Sequence, residues 1–560
     1  MGLSWTDFSG RPPPMGPVRL KLPTTATGQD PSNRGWEERW VVMLNGGYDP
    51  TLNRGRAVFM VDAWTGQTIW RVTDDDLKTG GRNNLGFGSG TAMFPVTGSV
   101  ALLDLGDPNQ SSFDMDGFFD TATWGDLGGN LWLARFQAPG EIGTSGRVEN
   151  WFAARTFEQG RVDSGAQSAL TRQPFYAMTS NAYESTTRSL RTFIGSGNRE
   201  QLTVSGPSCG QNNLLACCQA GCAVSATVSQ NFGGACGWSS TFACDSSGNM
   251  THASVSDTPG SCSAATSCAS STSYQAAASV SISACTSPAA TATGALACDA
   301  AGTCSGPAST PAFTQLGTGT VSVSGTTPPA SRFFGVWSYG KDTTKTFGTL
   351  AEAVTFDANR FTDSATFTGT CAGGSCKLID TTATTVSYNP TTNAVTAITG
   401  NKATTASPGW FYSYQGSGEK TGSGSTVVLG CTAWNGFMST AAGPSTCSGS
   451  GGTNSSLAYL ADFVSGVPTT VCGYGDGTSL VRRSTSQLTS APPTTATVRV
   501  VVNAKGQVEY SALQLNPGAG PAVKSVGTRS QISEPVYWME VPRDLHSCRH
   551  DPASTNTMCK

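Results

Sequence analysis

An all-β fold is predicted by three observations. Helical periodicity is almost absent. Short apolar runs of roughly five to eight residues recur, each bounded by Gly, Asn, Asp or Pro, which is the signature of strands joined by tight turns. Charged residues make up only 13% of the 560 residues, while hydrophobic residues reach 38%, so a core can form without a highly charged surface.

The first clear strand is Trp40-Val41-Val42-Met43-Leu44, ended by Asn45-Gly46-Gly47. Next comes Ala57-Val58-Phe59-Met60-Val61, then the turn Asp62-Ala63-Trp64-Thr65-Gly66, then Thr68-Ile69-Trp70-Arg71-Val72. This strand, Asp-x-x-x-Gly turn and Trp-bearing strand resemble the inner hairpin of a propeller blade. Weaker copies occupy residues 124–133 and 457–466. The pattern predicts a β-propeller of irregular blades, with an irregular β-sandwich as the alternative.

Composition changes near Gly206. Eleven of the 18 cysteines fall from Cys209 to Cys304, among Ser, Ala, Thr and Gly. No alternating apolar face is evident there, which predicts a large Cys-rich disulfide-bonded insertion held by cross-links. The expected organisation is residues 1–206 as the first part of the propeller, 207–310 as the insertion and 311–495 as the remainder. A C-terminal β hairpin and polar tail fill residues 496–560. Outside the insertion, the local pairs expected are Cys371 with Cys376, Cys431 with Cys447, and Cys548 with Cys559. Cys472 is the leftover, and the eleven insertion cysteines leave one that needs a partner outside.

Abundant cysteine in a polar, weakly charged chain points to an oxidising, extracellular location. No signal peptide is visible at the start, so the expectation is a C-terminal portion of a longer exported protein. A net charge of −3 gives no general case for nucleic-acid binding. No apolar run is long enough for a membrane-spanning helix.

The most specific local motif is Ser112-Phe113-Asp114-Met115-Asp116-Gly117-Phe118-Phe119-Asp120. Oxygen-bearing side chains stand at positions 1, 3, 5 and 9, Gly at position 6, and Phe118 offers its carbonyl at position 7. This spacing suits one Ca²⁺, whose hard oxygen ligands come from a flexible loop. Thr123 stands where an EF-hand has its bidentate Glu, so binding should be weak, on the order of 10⁻⁴–10⁻³ M. The competing reading is an acidic surface turn. His546, Cys548, His550 and Cys559 could be drawn as a zinc site, but a terminal disulfide with two exposed histidines is the simpler reading. Only three histidines occur in the chain and no Gly-x-Ser-x-Gly elbow is present, so catalysis is not expected.

The ordered series of motifs resembles the C-terminal β-propeller of type IV pilus tip-associated adhesins (PilC/PilY-type). It comprises residues 40–48, Val61-Asp62-Ala63-Trp64-Thr65-Gly66, and Asp114-x-Asp116-Gly117-x-x-Asp120 followed by residues 125–132. It continues through Gln173-Pro174, residues 193–197, Gly409-Trp410, Gly418-Glu419-Lys420, Cys431, Cys447 and residues 457–466. The resemblance covers about residues 1–206 and 330–470. Ser112 departs from the family's acidic first ligand, and Trp124 from its Tyr. The resemblance implies a calcium-responsive protein at the cell surface or pilus tip, supporting pilus assembly, adhesion and twitching motility. Its implied partners are minor pilins and a host or abiotic surface, with no enzymatic step. Two other classes compete: a pyrroloquinoline-quinone-type dehydrogenase, of which only residues 62–70 carry a full blade motif, and a secreted lectin-like binder.

Overall fold

The computed structural model describes residues 15–21, 36–49, 52–106, 117–136, 139–161, 173–184, 187–197, 330–340, 346–371, 374–416, 418–439 and 454–484. Between residues 224 and 325, and between 497 and 529, it describes strand backbones.

Among these residues the chain is almost wholly β. In the first sheet Met15–Lys21, Trp36–Asn45, Ala57–Asp62 and Thr68–Thr73 pair antiparallel in chain order. Val58 and Met60 are buried while Phe59 and Val61 are half-buried, the period-two pattern of a strand. The second sheet holds Ala101–Leu103, Thr121–Gly125, Asn130–Arg135 and Phe152–Glu158. Its two central strands are buried at every position, so both faces are covered. The third holds Ser180–Glu184, Ser189–Gly195, Arg332–Gly340 and Gly409–Ser413, with Ile379–Asp380 parallel at its edge. The fourth holds Thr426–Val428, Cys431–Ser439 and Asn454–Asp462.

Apolar faces join these sheets in series. Val18, Met60 and Trp70 of the first share a core with Trp132 and Leu133 of the second. The Trp70 indole donates to the Trp151 carbonyl at 2.9 Å, so the predicted blade tryptophan does link one sheet's hairpin to the next segment. Leu131 and Phe157 of the second pack with Ile194, Phe334 and Phe411 of the third. Phe333 of the third stacks on Trp434 of the fourth, centroids 4.1 Å apart, and Trp434 stacks on Tyr459 at 5.3 Å. Stacked aromatics of this kind add roughly 0.5–1.5 kcal/mol each beyond their buried area. These contacts establish an all-β series of face-packed sheets.

The three turn motifs share one device. Asp62 Oδ1 accepts from the amides of Trp64 and Thr65, and Gly66 closes the turn at φ +72°. Asp462 Oδ1 accepts from Val464 and Ser465 in the same way, with Gly466 at φ +69°. In the shorter turn, Asp126 accepts from the Gly128 and Asn130 amides and the Trp132 indole, before Gly129 at φ +75°. A short carboxylate satisfies the turn amides, and only Gly takes the left-handed residue cheaply.

Among the described residues one helix interrupts the strands, an element that the β-type pattern of the sequence does not predict. Leu350–Ala358 begins with a capping box between Thr349 and Glu352. Its buried Asp357 meets the Arg155 guanidinium through Nε and Nη2, both at 2.9 Å. Arg360 joins the cluster by bonding both Asp357 and Glu158.

The Cys-rich stretch leaves and re-enters the third sheet between two strands paired with each other. Gly195 stands opposite Phe333, and Ser196 hydrogen-bonds Arg332 in both directions across 136 positions of sequence. The excursion does contain alternation, contrary to expectation. Val224–Asn231, Cys236–Cys244, Met250–Pro259 and Thr320–Gly325 form a four-stranded sheet. Thr320–Gly325 belongs to it, so the excursion runs past residue 310 toward Arg332. Its Val-Ser-Ala-Thr-Val-Ser pattern was hidden by a composition dominated by small residues. Replacing residues 198–329 by a short Gly-Ser linker should leave a cooperatively melting scaffold, because both ends are already fixed by Ser196 and Arg332 and loop length itself costs little. Loss of a cooperative transition in calorimetry would show that the excursion supplies scaffold core.

Cys371 is bonded to Cys376. Cys431 is bonded to Cys472, which corrects the expected pairing with Cys447. Cys431 starts a nine-residue strand, whose far end at Ser439 is about 27 Å away at strand rise. The return strand brings Asp462 back opposite Cys431, and Cys472 follows shortly after. Cys447, Cys548 and Cys559 lie outside the described residues, as do His546 and His550. The expected hairpin at 497–513 is present, and Ala522–Arg529 adds a third strand to it.

Candidate calcium loop and its mouth

Leu103 pairs with Thr121 across the second sheet, so residues 104–120 form the connection between two adjacent strands. Five Asp and no Lys or Arg occur in that connection. Crowded carboxylates repel one another, which a divalent cation would relieve.

Of the expected ligands, Ser112, Asp114 and Asp116 lie outside the described residues. Gly117, at the sixth loop position, has φ +84°, the left-handed conformation that the sharp turn requires. Phe118 is 8% exposed, and its ring lies under the Arg19 guanidinium at 4.3 Å. The next ring, Phe119, fills the space beside Gly16, where a Cβ would come within 1.6 Å of it. The Phe119 amide also donates to the Pro17 carbonyl at 2.9 Å. The end of the loop is thereby docked on the first sheet.

Asp120 holds the mouth of the loop shut. Its carboxylate accepts from the Leu105 amide at 3.1 Å, the Gly106 amide at 2.6 Å and the Thr121 hydroxyl at 2.7 Å. Arg135 adds an ion pair at 3.2 Å while donating to the Gly106 carbonyl, also at 3.2 Å. Both Asp120 oxygens are therefore engaged before any metal is considered. Across the mouth, Asp104 Oδ2 accepts from the Gly117 amide at 2.8 Å.

Asp104 and Arg135 were not singled out from the sequence. Asp104 lies outside the nine-residue motif, and Arg135 is brought in by the strand Asn130–Arg135, which pairs Arg135 with Thr121. The fit to Ca²⁺ is thus divided. Gly117 and the acidic character of the connection suit it, whereas Asp120 carries a clamping role already. Among the described residues no group of three or more His, Cys, Asp or Glu is close enough to hold a metal ion.

Asp120→Asn should lower stability by roughly 2 kcal/mol, since a charge-assisted bond to the buried Arg135 is weakened. Urea titration without calcium would measure it. An unchanged midpoint would mean that Asp120 does not clamp the loop.

No family model matches this chain, and no curated protein does. A solved structure described as the crystal structure of the Pseudomonas aeruginosa PilY1 C-terminal domain is similar at 11% identity and a TM-score of 0.37, covering 91% of this chain and 71% of the other. These figures are too low to carry an argument about fold or function. No helix among the described residues is long and apolar enough to cross a membrane, which says nothing about spanning by strands.

Proposed function

We propose that this chain is the propeller region of a type IV pilus tip-associated surface protein, non-enzymatic and responsive to calcium. It supports pilus assembly, surface adhesion and twitching motility outside the cell. Its partners are minor pilins on one side and a host or abiotic surface on the other.

The observation that carries this reading is the placement of the ordered motif series. The motif at 61–66 closes a hairpin of the first sheet, that at 125–132 a hairpin of the second, and that at 457–466 leaves a strand of the fourth. All three use the Asp-capped turn ending in a left-handed Gly. Segments 193–197 and 409–410 fall in the third sheet, and Glu419, between the third and fourth, accepts from the Tyr459 hydroxyl at 2.5 Å. Repeated hairpins on successive face-packed sheets are what a propeller requires. The disulfides Cys371–Cys376 and Cys431–Cys472 support an oxidising location.

Calcium enters through the 104–120 connection. Asp114, Asp116 and the Phe118 carbonyl would hold the ion with Ser112, and Asp120 would serve at the mouth. The ion would order the connection. At one to ten times Kd the stability gained is only about 0.4–1.4 kcal/mol, so the response is local to the loop.

Strains lacking the chain test this reading. Surface pili and twitching should be lost, regained with wild type, and regained with Asp116→Ala only in a calcium-independent form. Unchanged piliation and motility without the chain would overturn it.

A further inference from the structure

A small sheet outside the series runs in the order Ala394–Thr399, Thr385–Asn389, Ser479–Val481 and Tyr474–Asp476. Among the described residues Ala394–Thr399 pairs with Thr385–Asn389 alone, so it is an edge. All six of its residues are exposed. Alternate residues of such a strand turn their N–H and C=O groups outward, a template that another strand completes. Edges are ordinarily blunted by charge, by Pro or by shortness. Here the edge has six residues without Pro, and residues 381–401 contain no Asp, Glu, Lys, Arg or His. The opposite edge, Tyr474–Asp476, is blunted: it is three residues long and ends in a carboxylate.

Side chains supply the second observation. Ile398 stands opposite Val386, and Val395 opposite Tyr388, with Thr396 left over as a bulge. Val386 and Tyr388 are two positions apart and share a face. The bulge therefore puts Val395 and Ile398, three positions apart, on that same face. It is the apolar face, where Val386 and Leu480 are buried with Val467 and Tyr388 packs against them. The apolar layer thus continues outward to Val395 and Ile398, each 40% exposed at the open edge.

We propose that this edge pairs antiparallel with the same edge of a second copy of the chain. A two-fold axis between Thr396 and Ala397 sets Val395 opposite the partner's Ile398, and Ile398 opposite the partner's Val395. Rotation about an axis normal to the sheet preserves faces, so these four side chains extend one apolar layer across both copies. Two copies of one strand always bring identical charges together, and this stretch has none to repel. The pairing uses up the open edge and leaves the blunted one outside, so assembly stops at two. A ladder of six residues is about 20 Å long. That is small beside the roughly 800 Å² per partner of a stable complex, so association follows concentration.

Sedimentation velocity of the full oxidised chain, from micromolar to hundreds of micromolar, tests this. Monomer is expected when dilute and a rising dimer fraction when concentrated, alike at low and high salt. Val395→Lys and Ile398→Glu each place an unpaired charge in the new layer. Each should raise the concentration needed for dimer at least tenfold, with an unchanged melting temperature in dilute solution. An equimolar mixture of the two should dimerise again, because the register sets the introduced cation opposite the introduced carboxylate. Hydrogen exchange of wild type needs no variant: amides within 394–399 should gain protection as concentration rises. A wild type that stays monomeric throughout, association kept by both folded variants, a mixture that fails to associate, or dimer without added protection at 394–399 would overturn the proposal. None of these outcomes bears on the pilus reading, which is tested by piliation and motility.

Discussion

Asp357→Ala should destabilise the scaffold by about 3–5 kcal/mol, the cost of leaving buried arginines without their main counter-charge. Asp357 lies on the helix Leu350–Ala358 and is 5% exposed. It accepts from the Arg155 amide at 3.1 Å and from the Arg155 guanidinium, tying the helix to a strand 202 positions earlier. The contact therefore spans the whole excursion. Burial pushes the Asp357 carboxyl up, but the charges of Arg155 and Arg360 outweigh it and hold the group below the usual value of 3.8. A carboxylate with a depressed folded pKa contributes stability above its unfolded pKa and loses it as pH falls through the folded one. Wild type should thus lose stability progressively below about pH 4, and Asp357→Ala should show a flatter acid limb. Equal acid limbs in urea titrations of the two would contradict the role given to this ion cluster.

Breaking the Cys431–Cys472 bond is the second large effect. The bond closes a separation of 41 residues, for which the chain-entropy estimate is about 4 kcal/mol. Both sulfurs lie in a small core with Val428, Ala433 and Leu460, so a cavity adds to the loss. Cys472→Ser should lower the melting temperature by several degrees, whereas Cys447→Ser should leave the Cys431–Cys472 bond in place. Peptide mapping of unreduced protein decides the pairing independently. A fragment joining Cys431 to Cys447 would contradict it.

The local code was readable where the physics is local. Asp62, Asp462 and Asp126 cap their own turn amides, and the glycines that follow are the residues such turns need. The apolar runs at 40–44, 57–61 and 68–72 are strands for the same reason. What escaped the sequence depends on distant partners or on a masking composition. Cys472 meets Cys431 because the hairpin of two long strands returns Asp462 opposite Cys431, ten residues before Cys472, a closure that sequence separation does not report. Arg135 reaches Asp120 only through strand register. The helix did carry a legible signal, Thr349-x-x-Glu352, but the surrounding β pattern drowned it. In the excursion, Val and Ala alternate with Ser and Thr, and small residues on both faces blur the period of two. Motif spacing reports the side-chain chemistry of Asp120, but not the bonds it makes to Leu105, Gly106 and Arg135, which strand register supplies.

Calcium binding by the 104–120 connection tests the account most directly. Isothermal titration of the full chain should give one site with Kd on the order of 10⁻⁴–10⁻³ M. Asp116→Ala should abolish the heat while leaving the melting temperature in chelator unchanged. The same calcium heat in wild type and Asp116→Ala, or no heat in wild type, would contradict it and return the run to an acidic turn.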